Sequence, residues 1–126
     1  GKADAVLKAL KDGYDFVYVH LEATDEVSHE QNLKLKIKVI EDFDNRLIGR
    51  VMANAGANVA YCVLPDHPVP IAIGRHTRTA VPVAVWQPGV EPDGVTSYNE
   101  KAALKGGLGY LRGSDLMDIL LGGGLK

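Results

Sequence analysis

Residues 15–21 read DFVYVHL and residues 59–64 read VAYCVL, two short runs rich in β-branched and aromatic side chains. Apolar runs without polar alternation are typical of strands buried on both faces of a parallel sheet. Between them, residues 30–55 carry apolar side chains at helical spacing and predict one long amphipathic helix. A strand, a helix and a second strand make a βαβ unit, in which the strands lie parallel and helices cover the sheet. The sequence therefore predicts an α/β fold with a layered, mostly parallel sheet flanked by helices.

The remaining elements extend this predicted fold at both ends of the chain. A third strand is expected at residues 81–86 (VPVAVW), close to a sheet edge because Pro82 cannot donate to a neighbouring strand. Helices are predicted at residues 2–11 and at residues 115–121, the second with Ser114 as its N-cap. The residues expected in the strand core are Phe16, Val17, Val19, Val63 and Val85, with Ile37, Ile40 and Leu47 packed on them.

The composition excludes several functional classes for this 126-residue chain, whose length fits one domain. With 14 Lys plus Arg against 16 Asp plus Glu, the net charge of −2 argues against nucleic-acid binding and against a polybasic membrane-surface protein. No apolar run approaches the roughly 20 residues that a membrane helix needs. The single cysteine, Cys62, excludes a disulfide framework and a cysteine-rich zinc site. It favours a reducing compartment, for which we expect the cytoplasm.

Carboxylates and imidazoles follow the predicted strands at three separate places in the sequence. Asp25 and His29 are four residues apart, so on a helix they share one face and can chelate one ion. Asp66 and His67 end the second strand, and His76 precedes the third. Ligands of open α/β sheets bind at the carboxyl ends of the strands, where these segments could converge. Carboxylate with imidazole suits zinc or manganese, and two such ions form a clamp for phosphoryl transfer.

Each of these residues also has a structural interpretation. Asp25 could cap a helix, His29 could be a solvated helix histidine, and Asp66-His67 could belong to a turn before Pro68. His76 could be an ordinary loop residue, and His20, at the end of the first strand, is expected to be structural or to support a metal ligand. The co-occurrence of five candidate ligands after strands favours the metal hypothesis.

Three segments of the chain resemble a known family. Residues 20–30 (HLEATDEVSHE), 64–86 (LPDHPVPIAIGRHTRTAVPVAVW) and 97–121 (SYNEKAALKGGLGYLRGSDLMDILL) are similar to the archaeal type of cofactor-independent phosphoglycerate mutases, members of the alkaline phosphatase superfamily. The resemblance implies that two divalent ions, manganese or zinc with magnesium as a further option, are bound. It implies a first ion on Asp25, His29 and His76 and a second on Asp66 and His67. His20 and Glu22 are further candidates for supporting these ligands.

The resemblance also implies what the chain belongs to. Residues 1–126 would form the C-terminal segment of the metal-binding, phosphatase-like domain of a longer protein, with the nucleophilic Ser or Thr upstream. The whole enzyme would interconvert 2- and 3-phosphoglycerate in glycolysis through a phospho-Ser or phospho-Thr intermediate, and this chain alone would be inactive. A homoserine kinase-type phosphotransferase and a non-catalytic metal-binding module are the alternatives. The expected partner is a small phosphorylated substrate, and an isolated chain with an uncovered sheet is expected to form a homo-oligomer or swapped dimer.

Overall fold

A computed structural model describes residues 1–122, which divide into two units. The helical unit comprises Gly1–Ala57 and Val69–Thr77, and the strand unit comprises Asn58–Pro68 and the chain from Arg78 onward. The helical unit contains α1 (Lys2–Lys11), α2 (Ala23–His29), α3 (Leu33–Phe43), a π-helical turn (Asp44–Ile48) and α4 (Gly49–Asn54). The strand unit contains β1 (Tyr61–Val63), β2 (Ala84–Trp86), α5 (Glu100–Ala103) and α6 (Gly113–Leu120).

Apart from Pro82 in the strand unit, the buried residues of the described chain lie in the helical unit. Helix α2 packs against α3, while α1 packs against α4 and the π-helical turn. An exposed ion pair between Arg50 and Asp4, 2.5 Å apart, joins α4 to α1. The buried apolar residues come from α1, α2, α4 and the segment after Pro68, and they are Ala3, Val6, Val27, Val51 and Val69.

A π-helical turn interrupts the long helix between α3 and α4. The amide of Gly49 donates to the carbonyl of Asp44, five residues earlier, instead of to the residue four earlier. A Cβ at Gly49 would lie 3.2 Å from that carbonyl oxygen, so glycine permits the close approach. The turn is a one-residue insertion that shifts the helical phase between α3 and α4.

The strand unit contains a two-stranded antiparallel ladder. Tyr61 pairs with Trp86, Cys62 with Val85 and Val63 with Ala84. The hydroxyl of Tyr98 lies 3.1 Å from the Pro82 carbonyl and 3.3 Å from the Val63 carbonyl, so it can donate to the last residue of β1 or to the segment that leads into β2. Burial of the hydroxyl, with smaller contributions from nearby Cys62 and Glu100, raises the pKa of Tyr98 to about 12.

The sheet prediction needs correction for the described residues. Residues 15–21 form no strand, and the ladder found in residues 1–122 is antiparallel, so the layered parallel sheet is not seen there. Their side chains nevertheless alternate as in an extended chain: Phe16, Tyr18 and His20 are exposed, while Val17 and Val19 are half-buried. Strand geometry requires a neighbour to satisfy backbone donors and acceptors, and no described strand pairs with this segment.

The predicted helices agree with the structure more closely than the predicted core residues do. Helix α1 has the predicted bounds, and the long helix ends as expected, although it begins at Leu33 and contains the π-helical turn. Residues 23–29 form α2, and α6 begins one residue before Ser114. The predicted core is wrong at its largest side chains, since Phe16, Ile37 and Ile40 are 47–50% exposed. No helix among residues 1–122 is long and apolar enough to cross a membrane.

Candidate metal centre

Asp25, His29 and His76 converge on one point of the helical unit. The Oδ1 atom of Asp25 lies 3.3 Å from Nε2 of His29 and 3.2 Å from Nε2 of His76. The two Nε2 atoms are 3.2 Å apart, so the three donor atoms form a nearly equilateral triangle. The three side chains are 38–53% exposed, which leaves the cluster open to solvent and to a ligand.

Helix α2 sets the first two corners of this triangle. Asp25 lies in its first turn and His29 is its last residue, one turn further on. The carbonyl of Glu22 accepts the amides of Asp25 and Glu26 and so starts the helix. The spacing of four residues places both side chains on one face, as the sequence predicted.

The third corner is brought by the segment 69–76, here called the His76 loop. Its backbone carbonyls accept three hydrogen bonds from α2, α3 and the corner between them. His29 Nδ1 donates to the carbonyl of Gly74 at 2.9 Å, and Gln31 Nε2 donates to that of Ile71 at 2.9 Å. The third donor is the ammonium of Lys36, 2.9 Å from the carbonyl of Val69. The loop thus crosses the α2–α3 corner and returns His76 to Asp25.

Sequence reasoning missed the three residues that organise this loop, Gln31, Lys36 and Gly74. The amides of Ile73 and Gly74 both donate to the carbonyl of Pro70, which closes a tight turn. Gly74 has φ 69°, a left-handed conformation that redirects the chain toward His76. A glycine two residues before a candidate histidine ligand was the one signal that could have pointed to such a turn.

The hydrogen bond from His29 to Gly74 fixes the chemistry of the triangle. A carbonyl oxygen only accepts, so Nδ1 of His29 carries the proton. In a neutral imidazole the Nε2 atom then presents a lone pair to the centre of the cluster. Asp25 Oδ1 and His76 Nε2 face the same point. With the His76 proton on Nδ1, three lone pairs converge and a cation would offset their repulsion; with that proton on Nε2, His76 instead donates to Asp25 at 3.2 Å.

The dimensions of the triangle can be compared with metal coordination. Donors about 2.0 Å from a tetrahedral zinc ion lie about 3.3 Å from one another. Adjacent donors about 2.05 Å from an octahedral magnesium ion lie about 2.9 Å apart. The separations of 3.2–3.3 Å match the tetrahedral value, so these residues fit a zinc-type ion with a fourth position left open.

The other predicted site residues have different surroundings. Asp66 and His67 belong to the strand unit, where their side chains lie 3.4 Å apart and Asp66 also accepts the amide of His67. The ring of His20 stacks on Tyr18 with centroids 6.4 Å apart, and its backbone carbonyl accepts from Lys2. Glu22 is exposed at the N-cap of α2. Metal binding by the pair and support from His20 and Glu22 therefore stay predictions.

The hydroxyl of Ser28 is next to the cluster in the sequence but forms a hydrogen bond within α2. Ser28 precedes His29 and is 1% exposed, and its Oγ donates to the carbonyl of Thr24 at 2.5 Å. This back-bond within α2 buries the oxygen, whereas a nucleophile must be accessible to substrate. The geometry therefore gives Ser28 a structural role.

Comparison with known proteins identifies relatives of the chain. The sequence profile of the Metalloenzyme superfamily matches residues 1–122. The chain is 42% identical over 125 residues to the 2,3-bisphosphoglycerate-independent phosphoglycerate mutase of Methanosarcina acetivorans, and 41% identical over 124 residues to a probable enzyme of that name from Geobacter sulfurreducens. Each alignment covers 96% of this chain. A solved structure of a protein from Pyrococcus horikoshii matches with a TM-score of 0.90 and 36% identity over 95% of this chain.

The matched relatives are much longer than the chain. It spans 31% of the length of the two curated relatives and 36% of the solved Pyrococcus horikoshii chain. Nothing in these comparisons supports the homoserine kinase alternative. The names of the relatives therefore describe proteins of which this chain matches one part.

Proposed function

Because the chain belongs to the Metalloenzyme superfamily and has its alkaline-phosphatase-like fold, we propose that it is the C-terminal segment of the metal-binding domain of a 2,3-bisphosphoglycerate-independent phosphoglycerate mutase. The observation that carries the proposal is the triangle of Asp25, His29 and His76, found in a chain 42% identical to an enzyme of that name. The proposed substrates are 2- and 3-phosphoglycerate, and the proposed location is the cytoplasm.

The proposed metal centre uses two ions. Asp25, His29 and His76 hold the first, for which the edge lengths of the triangle favour zinc over octahedral magnesium, while the carboxylate and imidazole donors also suit manganese. Asp66 and His67 contribute to the second ion. Two protein ligands rarely fix a catalytic metal, so further ligands come from another part of the full-length enzyme.

The proposed reaction moves a phosphoryl group between the 3- and 2-positions of glycerate through a phosphorylated Ser or Thr of the full-length protein. The ions, when bound, activate the nucleophile and offset developing negative charge. Within this chain, the Gly74 carbonyl keeps the His29 proton on Nδ1, so that Nε2 stays available as a ligand. The buried hydroxyl of Ser28 supports a nucleophile from outside the chain.

The finer architecture of the full-length protein is also a proposal. Residues 15–21 would pair there as a strand of a mostly parallel sheet, which the alternating exposure of Phe16, Val17 and Tyr18 supports. Pairing would cover the exposed aromatic face and satisfy the backbone of the segment.

The test measures mutase activity of the full-length enzyme by coupling 2-phosphoglycerate formation to enolase. Asp66→Ala and His67→Ala should lower turnover severely with a smaller effect on KM, whereas Asp42→Ala, which removes an exposed carboxylate paired with Lys38, should not. The 126-residue chain supplied with manganese or zinc should show no turnover. Robust turnover by that chain would refute the fragment proposal, and a full-length protein that phosphorylates homoserine from ATP would refute the mutase assignment.

A further inference from the structure

Gln31 occupies a backbone position that helices usually give to glycine. Helix α2 ends in a Schellman motif, in which the amide of Asn32 donates to the carbonyl of Val27 and the amide of Gln31 to that of Ser28. Gln31 is left-handed, with φ 54°, and it is the one non-glycine residue with positive φ that the structure records for the described chain. A side chain is disfavoured in this conformation, so its retention calls for a compensating contact.

The compensating contact is with the His76 loop. The Gln31 amide group donates to the carbonyl of Ile71 at 2.9 Å. Its stem fills the space over Gly74, since a Cβ added there would lie 2.8 Å from Gln31 Cγ and 3.1 Å from Gln31 Cδ. The left-handed backbone of Gln31 aims this side chain across the loop, between the Lys36 and His29 contacts.

We infer that Gln31 is a positioning residue that holds the His76 loop so that His76 completes the metal triangle. The inference rests on the proposed function for the presence of a metal, whereas the contact between Gln31 and the His76 loop is seen in the structure. Gln31 touches none of the three donor atoms, and it acts on His76 through the carbonyl of Ile71 and the turn at Gly74. The contacts that the Gln31 side chain makes with the His76 loop thus offset the cost of its left-handed backbone.

Calorimetric titration of the 126-residue chain with zinc chloride tests the inference. Gln31→Ala removes the contact and keeps the strained backbone, whereas Gln31→Gly removes both. Each should weaken zinc affinity about 10-fold, as losses outside the ligand shell do. Gln31→Gly should melt close to the wild type, because glycine suits the left-handed position, and this separates positioning from stability. Gln87→Ala is the matched control, since Gln87 also donates to backbone carbonyls, those of Ile119 and Leu120 in the strand unit.

Amide hydrogen exchange gives a readout that needs no metal. The amides of Ile73 and Gly74, which close the loop turn, should exchange faster in Gln31→Ala than in the wild type and in Gln87→Ala. Weaker zinc binding by both Gln31 variants supports the inference, and wild-type affinity in both overturns it. If the wild-type chain binds no zinc, the proposed metal centre fails. Exchange then decides on Gln31, where faster exchange supports its role and unchanged exchange overturns it.

Discussion

Replacing His76 by alanine should weaken zinc binding more than any change outside the triangle. The substitution removes two of its three edges, those of 3.2 Å to Asp25 and 3.2 Å to His29, and leaves only the 3.3 Å pair within α2. A helical pair at this spacing can still hold an ion with two bonds, so binding should be reduced and not abolished.

The size of the effect follows from the loss of a direct ligand. Removing a group that only supports a ligand costs about 10–100-fold in metal affinity, so losing His76 itself should cost at least about 100-fold, or about 2.7 kcal/mol. Binding of zinc at 100 times its Kd should stabilise the wild-type chain by about 2.7 kcal/mol, and the variant should lose most of this gain.

Calorimetry at neutral pH and thermal melting with and without zinc measure both quantities. Asp42→Ala is the control, because that carboxylate lies in the same unit but pairs with Lys38 instead of belonging to the triangle. Unchanged titration of a His29→Ala, His76→Ala double variant would refute the assignment of these ligands.

Three further predictions concern the fold and the association of the chain. Tyr98→Phe should cost about 1 kcal/mol in urea unfolding at pH 7 through the lost hydrogen bond. Because folding raises this pKa from 10.0 to about 12, wild-type stability should fall as the pH rises through that interval, and a phenylalanine variant with the same decline would contradict this. Gly74→Ala should lower the melting temperature less in a Gln31→Ala background, where the side chain within 2.8 Å is gone; additive effects would argue against that contact. The 126-residue chain should self-associate in light scattering because Phe16 and Tyr18 are 47% and 75% exposed, and Phe16→Ser with Tyr18→Ser should reduce it. A monomer from micromolar to millimolar concentration would count against this.

The local half of the metal triangle could be predicted from the sequence. A separation of four residues between Asp25 and His29 places two side chains on one helical face whatever the rest of the fold does. Helix α1 and the C-terminal end of the long helix were predictable for the same reason, because helical periodicity and capping act over a few residues.

The convergence of His76 was predicted for a reason that the described residues do not support. The sequence argument relied on the carboxyl edge of a parallel sheet, whereas the structure brings His76 to Asp25 through loop contacts made by Gln31, Lys36 and His29. These contacts join residues more than 30 positions apart and depend on a left-handed glutamine. No repeating pattern in the sequence therefore predicts them. The strand predicted at residues 15–21 is wrong for a related reason, since strand pairing depends on a neighbouring strand and not on the segment alone.

Because of the π-helical turn, the packing of α4 depends on the exact number of residues in the segment 44–48. Deleting one residue from 44–48 would let the helix run with ordinary hydrogen bonds throughout, but it would rotate α4 by about 100° relative to α3. Lys36, on the α3 side, would keep its hydrogen bond to the His76 loop, while Arg50 would turn away from Asp4 and α4 would lose its packing on α1. A deletion that improves local backbone geometry would therefore disrupt the packing of α4 on α1, while the metal triangle would keep its contacts with α2, α3 and the His76 loop. The number of residues in the turn, more than the identity of any one of them, sets the rotation of α4 relative to α3.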